Sequence, residues 1–221
     1  MKQLYVLGLC LTSFFPLAAQ TPGTIQATGT ASINVKPDQA QLSLSIVTDA
    51  ATAQQAAQQN ATLSNAVIVA LSGVLANSGS VQTVGYSLYP RYSNGQNPSI
   101  IGYTASNSLQ VTTTDLNLPG KLIDTANQAG ANSIGGLSFG LQNSDPARQQ
   151  ALTAASKQAL AHAAAIAAGL GARAGAVLSA QEGSTVTPIS SLAPGVSSST
   201  PVVTGTVSVS ATVTVTTQLT Q

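Results

Sequence analysis

The chain has 221 residues, of which 43% are hydrophobic and only 6% charged, with a formal net charge of +1. Clustered Lys and Arg that could follow a phosphate backbone are absent, and so is a polybasic segment for an anionic membrane surface; nucleic-acid binding is therefore excluded. Its single Cys (Cys10), single Met (Met1) and single His (His162) leave little for nucleophilic or metal chemistry, which needs several groups brought together. We expect no catalytic residue, no metal and no cofactor.

Residues 1–19 read as a secretory signal peptide: Met1-Lys2, an apolar run from Leu4 to Phe15, then Pro16-Leu17-Ala18-Ala19. The run is too short to span a bilayer, and Leu9 before Cys10 does not suit lipidation. Cleavage after Ala19 removes Lys2 and takes the formal charge from +1 to zero. The expected location is the periplasm or outer envelope, with no transmembrane span in the cleaved chain. Zero net charge lowers the barrier to association, so a homo-oligomer is expected.

Beyond the signal, Ile25, Ala27, Gly29, Ala31, Ile33 and Val35 alternate as on a strand with one buried face. Ala40, Leu42, Leu44 and Ile46 do the same, and the turn Lys36-Pro37-Asp38 between them predicts an antiparallel pair. Asp49 is the expected N-cap of a helix from about Ala50 to Ala76. Strands around Val81–Arg91 and Ile100–Thr112 flank Ser93-Asn94-Gly95, which has hairpin turn chemistry. A short helix follows from about Asn117 to Ala129, with Pro119 in its first turn and Gly130 at its exit. Leu137, Phe139 and Leu141 mark a strand. Asp145-Pro146 then opens an Ala-rich helix to about Gly169, with Asp145 capping and Leu152, Ala159, Ala163, Ile166 and Leu170 near one face. Val177 and Leu178 suggest a further strand, and residues 184–201, rich in Ser, Thr and Pro, a mobile loop. Val207 to Leu219 alternates most cleanly, as a strand central in its sheet or paired with the first. The fold class is α+β: a mixed, mainly antiparallel sheet with about three helices, in a single domain over 24–219.

Several strings, in this order and spacing, carry a resemblance: Gly29–Ala40, Tyr86–Tyr92, Gly102–Asn107, Leu122–Asn132 and the Arg148–Gly171 helix with its regular alanines. Together they make the chain similar to the SIMPL-domain family of exported bacterial proteins. The resemblance implies a mixed α/β fold, export to the envelope, frequent self-association and, for some members, a link to envelope or oxidative stress. It implies no accepted catalytic mechanism.

No acid lies a helical turn from His162, which reads as a structural or exposed residue. Asp49, Asp115 and Asp145 fall where helices begin or turns form. The aromatic residues are more telling: beyond the signal there are Phe139 and four tyrosines, Tyr86, Tyr89, Tyr92 and Tyr103. Tyr offers apolar area with a polar tip and is favoured at interfaces. Tyr89, Arg91, Tyr92 and Tyr103 are therefore the candidate interaction residues, against simple packing of the hairpin on a helix. The expected function is that of a non-enzymatic envelope protein that self-associates or binds an envelope protein partner. The alternative is a periplasmic binding protein for a small apolar or carbohydrate ligand, with a cavity lined by the tyrosines.

Overall fold

The computed structural model describes residues 23–189, 202 and 204–221; the predicted signal peptide and most of the Ser/Thr/Pro-rich segment lie outside them. In chain order the elements are β1 (Thr24–Val35), β2 (Gln39–Ala50), α1 (Ala53–Leu75), β3 (Gly79–Tyr92), β4 (Ile100–Thr113), α2 (Pro119–Ala129), β5 (Ser133–Gly140), α3 (Asp145–Gly169), β6 (Arg173–Ile189) and β7 (Thr206–Thr220). The strands form a three-stranded sheet ordered β1-β7-β6 and a four-stranded sheet ordered β3-β4-β2-β5. Every described pairing is antiparallel, and the fold is α+β.

The expected pairing of β1 with β2 is overturned: Lys36-Pro37-Asp38 carries the chain from one sheet to the other. β1 pairs along its whole length with β7, from Thr24↔Gln218 to Val35↔Val207. Side-chain size explains the sorting. β1 and β7 bury mostly small residues (Ala27, Ala211, Val213 and Val215, with Ile25 near one end) against an alanine helix. β2 buries Leu42, Leu44 and Ile46 against Val67, Leu71 and Leu75 of α1 and Leu122 of α2.

In α3 the buried residues are Ala147, Ala151, Ala155, Ala159, Ala163 and Ala167. A strict four-residue spacing follows an oblique row around a helix of 3.6 residues per turn. Of the expected face, Ala159 and Ala163 are buried and Leu152 packs against the same core, whereas Ile166 and Leu170 are exposed. Bare methyl groups let the helix settle onto β1, where a Cβ on Gly29 would stand 2.2 Å from the Ala155 carbonyl oxygen and 2.4 Å from the Ala159 nitrogen.

Three further expectations are corrected. Thr52, not Asp49, caps α1, its hydroxyl accepting from the Gln55 N–H at 3.3 Å. Asp145 is the first residue of α3 and Ser144 occupies the cap position without a side-chain bond. Residues 184–189, read as the start of a loop, continue β6 in register with β7 as far as Ile189↔Thr206; a ladder partner outweighs their Thr/Pro composition. α2 ends as expected on Gly130, at φ 115°, a conformation glycine adopts without a Cβ penalty.

Candidate interaction surface

β2 ends at Ala50, opposite Tyr103 of β4. Beyond that point β3 and β4 run on as a two-stranded ribbon, closed by the Ser93 N–H donating to the Ser99 carbonyl at 2.8 Å and the Ser99 N–H donating to the Ser93 hydroxyl at 3.0 Å. β3 is also the outer strand of its sheet. A strand at an edge and past the end of its neighbouring layer has nothing to bury its side chains against. Tyr92, past the end of β2, is accordingly 55% exposed, and Tyr89, on the edge strand level with Asp49, is 65% exposed.

The register divides the four predicted residues between faces. Tyr103 stands opposite Pro90, and Ala105 opposite Leu88; Ala105, Leu109 and Val111 of the same parity are buried, so Tyr103 lies on the helix-bearing face. Tyr89 stands opposite Thr104 and Arg91 opposite Gly102, on the outer face. Tyr92 follows an irregularity in the pairing and stands opposite Ile100. The candidate set is therefore not one continuous patch: Tyr89 and Arg91 share the outer face, and Tyr103 lies behind it.

Arg91 is not a free cation. Its guanidinium lies 3.2 Å from the Asp49 carboxylate, with both side chains about half exposed, and the Thr104 hydroxyl donates to the other Asp49 oxygen. Asp49, expected as a cap, thus ties three strands together at the base of the ribbon. Its parity with Gln41, Ser43, Ser45 and Val47, all opposite the buried row of β2, was the signal for this placement.

Val84, Tyr86, Leu88, Ile100 and Ile101 are also exposed on this hairpin and were missed. The alternation of Val84, Tyr86 and Leu88 promised a buried face, but they lie on the edge strand of the sheet and are exposed. These apolar side chains lie on both faces of the hairpin, and exposed apolar clusters are where interaction sites are found.

His162 lies on the opposite part of the fold. Its Nδ1–H donates to the Thr28 carbonyl at 2.8 Å, and the Gln158 side-chain oxygen accepts from the Thr30 N–H at 2.6 Å. The two side chains, one turn apart on α3, satisfy backbone groups on the unpaired edge of β1, a structural use of the histidine. An open groove of about 450 Å³ lies between α1 and β2, lined by Thr48, Gln55, Gln58, Gln59, Thr62 and Leu63. A second groove, of about 580 Å³, runs along Pro146, Gln149, Gln150, Thr153, Ala154 and Lys157 of α3. Neither contains a tyrosine of the hairpin.

Two curated relatives carry the name 26 kDa periplasmic immunogenic protein, one from Brucella melitensis biotype 1 and one from Brucella abortus strain S19. Each is 32% identical over 148 residues, covering 64% of this chain and 58% of the relative. The chain thus aligns with less than two thirds of their length. The family model SIMPL, described as a protein of unknown function (DUF541), matches residues 25–217, and the chain belongs to that family.

Proposed function

We propose that this protein is exported to the periplasm and works there without catalysis, by self-association or by holding an envelope protein partner through the β3–β4 hairpin. One observation carries the reading: an edge ribbon that exposes Tyr89 beside the last residues of β2 and Tyr92, Ile100 and Ile101 beyond its end. Aromatic side chains at an interface supply large contact area for little conformational entropy. Export is supported by the signal-like N-terminus and by the periplasmic relatives. The family link to stress extends the proposal, with one chemical restriction. Residues 23–221 contain neither Cys nor Met, so protection against oxidants by thiol or thioether scavenging is closed to them.

Replacing Tyr89, Arg91 and Tyr92 together with Ser tests the interface. Sedimentation of the purified protein, and cross-linking in intact envelopes, should show a lower assembly mass or the loss of a cross-linked partner. Unchanged mass and an unchanged cross-linking pattern in the folded variant would reject the surface.

A second reading rests on the groove beside α1. Its volume falls within the range of small-molecule sites and its lining is uncharged, which fits a neutral ligand, apolar or carbohydrate. A rise in Tm with such a ligand, abolished by Gln59→Leu, would favour a carrier over an assembly.

A further inference from the structure

We propose that Asn94, at the tip of the β3–β4 hairpin, is a site of spontaneous deamidation, converting through a cyclic imide to aspartate and isoaspartate. The reaction has three requirements: a following residue that does not obstruct attack by its own backbone nitrogen, an N–H there that is not held in a hydrogen bond, and access to water. Asn94 is followed by Gly95, which has no side chain, and nothing lies within 4 Å of where a Cβ would stand. Both residues are exposed. The loop is closed by Ser93 and Ser99, and among the described residues no hydrogen bond engages the Gly95 N–H or the Asn94 amide.

Other asparagines are blocked, each for a local reason. Asn97 precedes Pro98, which has no N–H. The N–H that follows Asn77 belongs to Ser78 and donates to the Leu75 carbonyl at 2.8 Å. The one that follows Asn117 belongs to Leu118 and donates to the Asp115 carbonyl at 3.2 Å. The Asn132 amide is occupied by the Val47 N–H at 2.9 Å and the Val47 carbonyl at 2.7 Å, and Asn60 is wholly buried. Of the asparagines outside helices and strands, Asn94 alone combines a glycine successor with a free N–H.

In the reaction hydroxide removes the Gly95 amide proton, and the nitrogen attacks the Asn94 side-chain carbonyl carbon. A C–N bond forms, and Nδ2 takes a proton from water and departs as ammonia. A second water opens the imide at either carbonyl, leaving aspartate or, with the main chain lengthened by a methylene, isoaspartate. The net change is amide plus water to carboxylate plus ammonium, with no oxidant and no enzyme. Residues 23–221 hold six acidic and six basic side chains. One added carboxylate therefore makes them net negative and places the charge on the tyrosine-bearing hairpin.

The test is prolonged incubation of the intact protein in warm, mildly alkaline buffer, followed by ion exchange and peptide mapping by mass spectrometry. An acidic form should accumulate, map to Asn94 and resolve into two products. In Asn94→Gln, where a six-membered ring is required, that form should not appear over the same period. Three outcomes would each overturn the assignment: no acidic form, conversion at another asparagine with Asn94 intact, or undiminished acidification of Asn94→Gln.

Discussion

Asn60 shows how a single polar side chain in the core is made affordable. It is wholly buried on α1, donates through Nδ2 to the carbonyls of Ile46 at 2.7 Å and Ala105 at 3.2 Å, and accepts from the Ser64 hydroxyl at 3.3 Å. It thereby pins the helix to both β2 and β4 through backbone groups that do not depend on the facing side chains. Asn60→Ala leaves a void and strips these groups of partners, so a loss of about 2–4 kcal/mol is expected in denaturant unfolding. A loss below that of a surface substitution would show that the network contributes little. The exposed Asp49–Arg91 pair lies at the other extreme. Asp49→Ala should lower stability by less than about 1 kcal/mol, because solvent screens a half-exposed pair, and that small loss should shrink further in high salt. Nothing in the residue types distinguished these two positions. Asn60 falls on the buried row of α1 and Asp49 on the exposed row of β2, so their placement was available from parity, but their partners come from distant strands.

At the scale of elements, α3 and β1 depend on the absence of side chains. Gly29 faces the backbone of Ala155 and Ala159 at distances no Cβ can occupy, so Gly29→Ala must push the helix away from the sheet. An overpacking penalty of about 1–3 kcal/mol is expected, seen as a lower Tm; an unchanged Tm would mean that the helix shifts freely. The same pair of elements explains the handling of an edge. β1 is an outer strand of its sheet, and such edges invite pairing with other chains unless blocked. Gln158 and His162 bond Thr30 and Thr28 there. In the double variant Gln158→Ala, His162→Ala we expect faster concentration-dependent aggregation by light scattering, with little change in unfolding midpoint. Equal aggregation rates would assign these bonds to stability alone. Alternation and alanine content made these elements legible in the sequence. Of the oblique buried row only Ala159 and Ala163 were read from the sequence, because alanine carries a weak apolar signal of its own and the larger Ile166 and Leu170, which are exposed, drew the face away from Ala147, Ala151, Ala155 and Ala167.

At the scale of the molecule, the strand and helix order was readable but the partition into two sheets was not. A turn containing Pro37 looks the same whether it closes a hairpin or passes the chain between layers; only the size match of β1 with β7 and α3 decides it. The consequence is two separate main cores: Leu42, Leu44, Ile46, Val67, Leu71 and their neighbours on one sheet, and the alanine face of α3 with Ile25, Val213 and Val215 on the other. The chain crosses between them at Lys36–Asp38 and at Leu141–Ser144. Asp38 fastens the two crossings together: its N–H donates to the Gly140 carbonyl at 3.1 Å, and its carboxylate accepts from the Gln142 N–H at 2.7 Å. A small cluster of Ala147, Val207 and Val209, joined by Ile33, Val35 and Leu141, sits at the same junction. Cores that share so little surface should open as distinct units under native conditions. Leu71→Ala removes a fully buried side chain from the first core, worth about 2–5 kcal/mol there. Hydrogen exchange should then quicken in α1, β2 and β4 by the equivalent of that loss, with α3, β1 and β7 keeping their protection. Adding Asp38→Ala should leave this pattern and widen the gap between the two sets of amides, because the side-chain half of the staple, the bond from the Gln142 N–H, is lost while the backbone half to Gly140 remains. An equal fall in protection on both sheets in the Leu71→Ala protein would mean that the small junction cluster is enough to make the whole chain one cooperative unit.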